Sequence, residues 1–240
     1  MSVILQAPVL YQVPLSDIQK MELTEYVNQY RKAHQAPNLI WDETIANYAQ
    51  TWSNYLINNN LFQHSGSQLY GENLAYFKGY GTDVITLLKL SIDLWYKEIS
   101  YYNFNKPGFS DETGHFTCLV WKNSKTFGMG ISILDDTVVV SFNTSPPCNI
   151  IGEFDQNVLP KIDNIELPQP PSVPIPNPPI QPPPPVQPPM EESLPVPSNK
   201  IMMMVTTLHK IIEELKKPHS NKVMIIHYLK HIIKQLIHYS

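Results

Sequence analysis

Phe127-Gly128-Met129-Gly130-Ile131-Ser132-Ile133-Leu134-Asp135-Asp136-Thr137-Val138-Val139-Val140-Ser141-Phe142-Asn143 decides the fold class of this chain. It holds two β-rich runs, Phe127 to Ile133 and Thr137 to Asn143, and Leu134-Asp135-Asp136 joins them as a hairpin turn would. Upstream the pattern changes to helical spacing. Ser16 with Gln19 makes a capping box, after which Leu23, Val27, Tyr30 and His34 share one stripe. Asp42 caps a second helix on which Ile45, Tyr48, Ala49, Trp52, Tyr55 and Leu56 recur at helical intervals. Thr82 is placed to cap a third, running to about Tyr102. Three long amphipathic helices with a small antiparallel sheet imply a layered α+β sandwich.

The organisation around that sandwich follows from composition. Of the 23 prolines in the 240 residues, 15 fall between Pro168 and Pro197. Proline lacks the amide proton and fixes φ, so this stretch joins no sheet and continues no helix. As polyproline II, at ~3.1 Å per residue, it is a semi-rigid spacer. Pro182-Pro183-Pro184-Pro185 also has the PxxP form that SH3-like partners read. The four expected parts are an extension over 1–14, a domain over 15–160, a proline-rich linker over 161–199 and a helical tail over 200–240. Residues 1–199 carry a net −9 and residues 200–240 a net +5. The acidic body argues against nucleic acid, whose phosphates need a basic footprint. In the tail, Ile225, Ile226, Leu229, Ile232, Ile233, Leu236 and Ile237 make one apolar face flanked by Lys222, Lys230 and Lys234. Such a face suits a homo-oligomer or an anionic membrane surface.

No window reaches about 18 apolar residues, Met1 to Lys20 lacks the form of a signal peptide, and Ser2 excludes N-myristoylation. The chain therefore reads as intracellular, with membrane association through its tail and export only by an unconventional route. Two cysteines, Cys118 and Cys148, are too few for a disulfide scaffold and read as free thiols packed as small apolar side chains.

The first chemical signal is Glu98, which falls on the apolar stripe Val84, Leu88, Ser91, Trp95 and Tyr102. Burying a carboxylate costs several kcal/mol unless it is paired, hydrogen-bonded or metal-linked, so Glu98 needs a partner. Candidate polar groups are His64, Glu72 in Gly71-Glu72-Asn73-Leu74, and His115 in Gly114-His115-Phe116-Thr117. Their spacing alone matches no ligand pattern for zinc and is equally that of separate capping residues.

Gly71-Glu72-Asn73-Leu74 and Gly114-His115-Phe116-Thr117-Cys118-Leu119-Val120-Trp121 resemble signatures of the CAP superfamily of cysteine-rich secretory, antigen 5 and pathogenesis-related proteins. The resemblance is strongest to the Golgi-associated plant pathogenesis-related branch. It extends through Trp95-Tyr96-Lys97-Glu98-Ile99, Tyr102 to Phe109 and Trp121-Lys122-Asn123, and covers roughly residues 15–160. It implies a three-layer α-β-α sandwich of the CAP/SCP type with a central cleft lined by His64, Glu72, Glu98 and His115. It further implies that His64 and His115 hold zinc or another divalent cation, weakly, since two protein ligands are fewer than a committed hydrolase supplies. Asn28, Arg31, Gly71, Asn73, Gly114 and Trp121 stand at motif positions that read as structural, with Val27 where the family has histidine and Cys148 where it has glycine. Tyr102, Phe104 and Phe109 match the aromatic spacing carried by sterol-binding members. The expected function is binding of a sterol-like apolar ligand or membrane lipid, beside a cleft that does not catalyse. The alternatives are a metal-assisted hydrolase using the same four residues, and a scaffold acting through linker and tail.

Overall fold

A computed structural model describes residues 14–172. The chain divides into two units, Met1–Val186 and Gln187–Ser240, and the described residues all belong to the first. The extension before Pro14, the Pro182–Pro185 motif and the tail over 200–240 lie outside the described residues.

Helix α1 (Asp17–Ala33) starts from the expected capping box: Ser16 Oγ accepts the Gln19 amide and Gln19 Oε1 accepts that of Ser16. Strand β1 (Ile40–Trp41) leads into α2 (Glu43–Asn58), whose first amides are held by Asp42. Strand β2 (Gly71–Lys78) follows, then α3 (Val84–Lys97), capped by Asp83 rather than Thr82. The Asp83 carboxylate accepts the Thr86 amide, so the cap sits one residue further along. After α3 the chain tightens into a 3-10 turn, Glu98–Tyr101. The short helix α4 (Gly114–Leu119) precedes the hairpin β3 (Thr126–Leu134) and β4 (Thr137–Ser145), with α5 (Phe154–Asn157) closing the order.

The sheet runs β1-β3-β4-β2, with β1 parallel to β3 and the other pairs antiparallel. Its two faces are sorted by residue size. On β3, Phe127, Met129, Ile131 and Ile133 enter the larger core with Leu23, Val27, Leu88, Trp95 and Phe116. The intervening Gly128 and Gly130 face α2 at backbone contact: a Cβ on Gly130 would lie 2.2 Å from the Gln50 amide nitrogen. Period-two alternation thus aims large side chains at α1, α3 and α4 and leaves a bare surface for α2. The smaller core, under α2, holds Trp52, Leu56, Ile57, Leu74 and Val139. This is the expected α-β-α sandwich.

Between residues 162 and 169 the chain stays against the domain. The Ile162 amide donates to the Ala33 carbonyl, Leu167 packs on the larger core, and the Tyr26 hydroxyl donates to the Gln169 carbonyl.

The cysteine expectation is overturned. Cys118 on α4 and Cys148 after β4 form a disulfide, with Cα atoms 5.0 Å apart at a sequence separation of 30. The β3–β4 hairpin returns the chain to α4, which two isolated cysteines in a sequence do not reveal.

Candidate functional site

Helix α4 carries His115 in its first turn, where helical amides lack partners. Its own N-cap, Thr113, makes no side-chain cap bond. Glu98 supplies the cap from the preceding 3-10 turn: its Oε2 accepts the amides of His115 and Phe116 at 2.9 and 3.0 Å. Its Oε1 accepts His115 Nδ1–H at 2.6 Å. A carboxylate at a helix N-terminus is doubly favoured, by the free amides and by the helix dipole. Glu98, only partly buried, thus has one helix start and one imidazole as partners, with the indole of Trp95 stacked 6.4 Å from the His115 ring.

Glu72 repeats the arrangement on β2. Its Oε1 accepts His64 Nδ1–H at 2.8 Å and the Ser65 amide at 2.9 Å, while Asn143, its register partner on β4, approaches Oε2 at 3.5 Å. The Glu72 side chain is 7% exposed and that of His64 62%. The hydrogen bond to Glu72 pushes the His64 imidazole above its ordinary value, against the opposing effect of burial.

Successive residues of a strand point to opposite faces, so Glu72 and Asn73 reach different neighbours from one edge of the sheet. Glu72 holds His64, and Asn73 Nδ2 donates to the His115 carbonyl at 2.9 Å. The two His–Glu pairs thus flank the start of one edge strand. Among the described residues no three or more His, Cys, Asp or Glu come together as an ion-holding group. In each pair a carboxylate takes Nδ1–H, fixes the tautomer and leaves Nε2 with its lone pair, the second-shell pattern of histidine ligands.

The motif residues hold the frame. Asn28 grips Leu39 at both its carbonyl and its amide. Arg31, fully buried, donates to the carbonyls of Pro37, Leu119, Trp121 and Ser124, tying α1 to the end of α4. Gly71 has no room for a side chain, because a Cβ would lie 2.3 Å from Cys148 Sγ.

The model of the cysteine-rich secretory protein family, CAP, matches residues 24–143. The human Golgi-associated plant pathogenesis-related protein 1 is 37% identical over 147 residues, which span 91% of that protein and 58% of this chain. This chain belongs to the CAP family. Protein PRY2 of Saccharomyces cerevisiae is 40% identical over 146 residues, 57% of this chain but only 41% of the yeast protein. The crystal structure of NaASP2 with Zn2+ shares the fold, with a TM-score of 0.51 and 17% identity over 61% of this chain and 87% of that one.

Within this CAP domain the three aromatic positions divide. Tyr102 is buried, with its ring 4.9 Å from Phe104 and 5.5 Å from Phe116. Phe104 packs on the core and stacks on His34 at 6.3 Å. Phe109 stays 51% exposed, beside Gly114 at the start of α4. The Asn149 side-chain amide donates to the Gly114 carbonyl, and the exposed Ile150 and Ile151 follow Asn149 directly in the chain. An open groove of about 950 Å³ along α1 and β1, with Ile18, Met21 and Ile40 exposed, is lined by none of the four His/Glu residues.

Sequence reasoning passed over two buried polar groups of this CAP domain. Asp93 accepts both Tyr26 and Tyr30 hydroxyls, at 2.8 and 2.6 Å, and burial raises its carboxyl. The sequence marks His34 only as a stripe residue at helical spacing. Its Nδ1–H donates to the Leu159 carbonyl and its Nε2 accepts the Tyr96 hydroxyl. A polar residue inside an apolar stripe was the available signal for His34; Asp93 lies off the stripe and gave none.

Proposed function

We propose that this CAP domain binds an apolar ligand or membrane lipid of sterol-like character through the surface at the start of α4, beside an ion-capable His/Glu cleft that does not catalyse. One observation carries the reading: Phe109 is an exposed apolar side chain at the start of α4, and the exposed Ile150 and Ile151 directly follow Asn149, which bonds that same helix end. Tyr102 and Phe104 serve as the buried root of that surface rather than as its contact residues.

His64 Nε2 and His115 Nε2, each left with its lone pair by a carboxylate on Nδ1, are the atoms that would hold a divalent cation. When bound, such an ion supplies charge and a polarised water. The two glutamates are positioning groups, since each already accepts a backbone amide and an imidazole. That engagement disfavours the hydrolase alternative, in which one of them removes a proton from water. The Cys118–Cys148 bond supports an oxidising compartment as the site of action, in place of the intracellular placement expected from the N-terminal sequence. Membrane association or self-association through residues 200–240, and capture of SH3-like partners by the linker, complete the proposal.

The test is binding of a radiolabelled sterol, and of sterol-containing vesicles, to the full chain. Phe109→Asp should weaken both by ~10–100-fold, as follows from ~1.5–3 kcal/mol for burying a phenylalanine. Unchanged binding in Phe109→Asp and in Ile151→Asp overturns the assignment of this surface.

A further inference from the structure

The disulfide occupies a particular place between the two His–Glu pairs. Cys118 is on α4, three residues after His115, and is fully buried. Cys148 lies over Gly71, the residue before Glu72, so closely that Gly71 tolerates no side chain. The bond therefore joins the helix that carries one histidine to the loop after β4, which packs on the first residue of the strand whose glutamate holds the other. Around it, Asn149 donates to the Gly114 carbonyl and accepts the Thr117 hydroxyl, so the loop after β4 grips α4 at three points, one of them covalent.

We infer that Cys118–Cys148 is a reversible redox clamp that positions His115 for its ion; the effect on the ion rests on the reading of the cleft given above. Two thiols require van der Waals separation where a bond stood. The room for it is small: Cys118 Sγ is enclosed, with Thr144 Oγ1 at 4.0 Å, and Cys148 Sγ rests on the backbone of Gly71. Reduction must displace α4, the loop, or both. Helix α4 has only six residues, too few to be stable without its anchors. Among the described residues, α4 without the bond is held to the loop after β4 by the two Asn149 hydrogen bonds alone.

The exchange is balanced by a small dithiol as reductant. Its thiolate attacks Sγ of Cys148, the less deeply buried of the two residues, and Cys118 leaves as a thiolate and takes up a proton. The second thiol of the reductant then attacks the mixed disulfide, releasing the Cys148 thiol and a cyclic disulfide. Two electrons pass from the dithiol to the protein disulfide.

The experiment uses the full chain, oxidised or reduced with dithiothreitol that is then removed under anaerobic conditions. The chain has only two cysteines, so thiol labelling reports the state directly. Zinc chloride is titrated against a chromophoric chelator, with His64→Ala/His115→Ala defining the contribution of other histidines. Hydrogen exchange is followed at the His115–Leu119 amides. The oxidised chain should bind zinc ~10-fold or more tightly than the reduced one, the usual worth of a group that orients a ligand. Its α4 amides should exchange more slowly, and reoxidation should restore both. Cys118→Ala/Cys148→Ala should match the reduced chain and ignore dithiol, which separates positioning from zinc capture by free thiols. Equal α4 exchange in the two redox states overturns the clamp, whatever zinc does. A difference in exchange with no zinc bound in either state upholds the clamp and removes the ion. Tighter zinc binding on reduction, lost in the double alanine variant, also overturns it.

Discussion

Replacing Glu98 by glutamine changes one oxygen for one amino group, and the structure says where that group must go. The oxygen is needed at the His115 and Phe116 amides, because turning the side chain over would set donor against donor. The new NH2 therefore faces His115 Nδ1, which becomes the acceptor, and the ring proton moves to Nε2. The nitrogen that could ligate an ion loses its lone pair. Loss of such an oriented ligand corresponds to ~10–100-fold in zinc affinity. The cost in stability is smaller. Charge-assisted bonds worth about 1.5–3 kcal/mol become neutral ones of about 0.5–1.5. Because the three bonds share one partly exposed side chain, the net loss should be about 1–2 kcal/mol. The full chain should show both effects, by zinc titration against a chelator and by urea unfolding. Sterol binding should persist, since it depends on apolar contact area. Zinc affinity in Glu98→Gln within twofold of wild type, with His64→Ala/His115→Ala losing the site, would refute the tautomer argument. A loss of ~10²–10⁴ in a metal-dependent turnover of peptide or ester would instead favour the hydrolase.

Arg31→Lys should destabilise the full chain by about 2–4 kcal/mol in urea unfolding. An ammonium cannot span four carbonyls spread over Pro37 to Ser124, and each one left unpartnered in the interior costs about 1–3 kcal/mol; a loss below about 1 kcal/mol would show that the fork is dispensable. Acidification acts on His34, whose burial lowers it from its ordinary 6.5 despite the Leu159 carbonyl. The folded state then binds the proton less readily than the unfolded chain, so stability is fullest above 6.5 and falls as pH drops through it. His64 is raised and opposes this, but its exposure weakens the effect. Urea midpoints at pH 7.5 and 5.0 should differ in wild type and differ less in His34→Phe.

The layering was legible because it rests on periodicity. Alternation in Phe127–Asn143 and helical spacing from Leu23 to His34 and from Ile45 to Leu56 express local geometry, and each reappears at its place. The capping boundaries were equally local, to within the single residue that separates Thr82 from Asp83. The four His/Glu residues were legible only as words resembling a family, since their separations carry no ligand spacing. Tertiary structure alone paired them, giving Glu72 to His64 and Glu98 to His115, and revealed that Glu98 caps a helix beginning sixteen residues later. The same holds for Asp93 between two tyrosines and for the disulfide. Backbone propensities and side-chain periods act over a few residues and can be read along a line. A hydrogen bond or sulfur bridge between residues 17 to 67 apart depends on where the sheet and helices deliver their ends. That delivery is decided by packing of the whole domain: by bare glycines under α2 and by one arginine holding α4's end to α1.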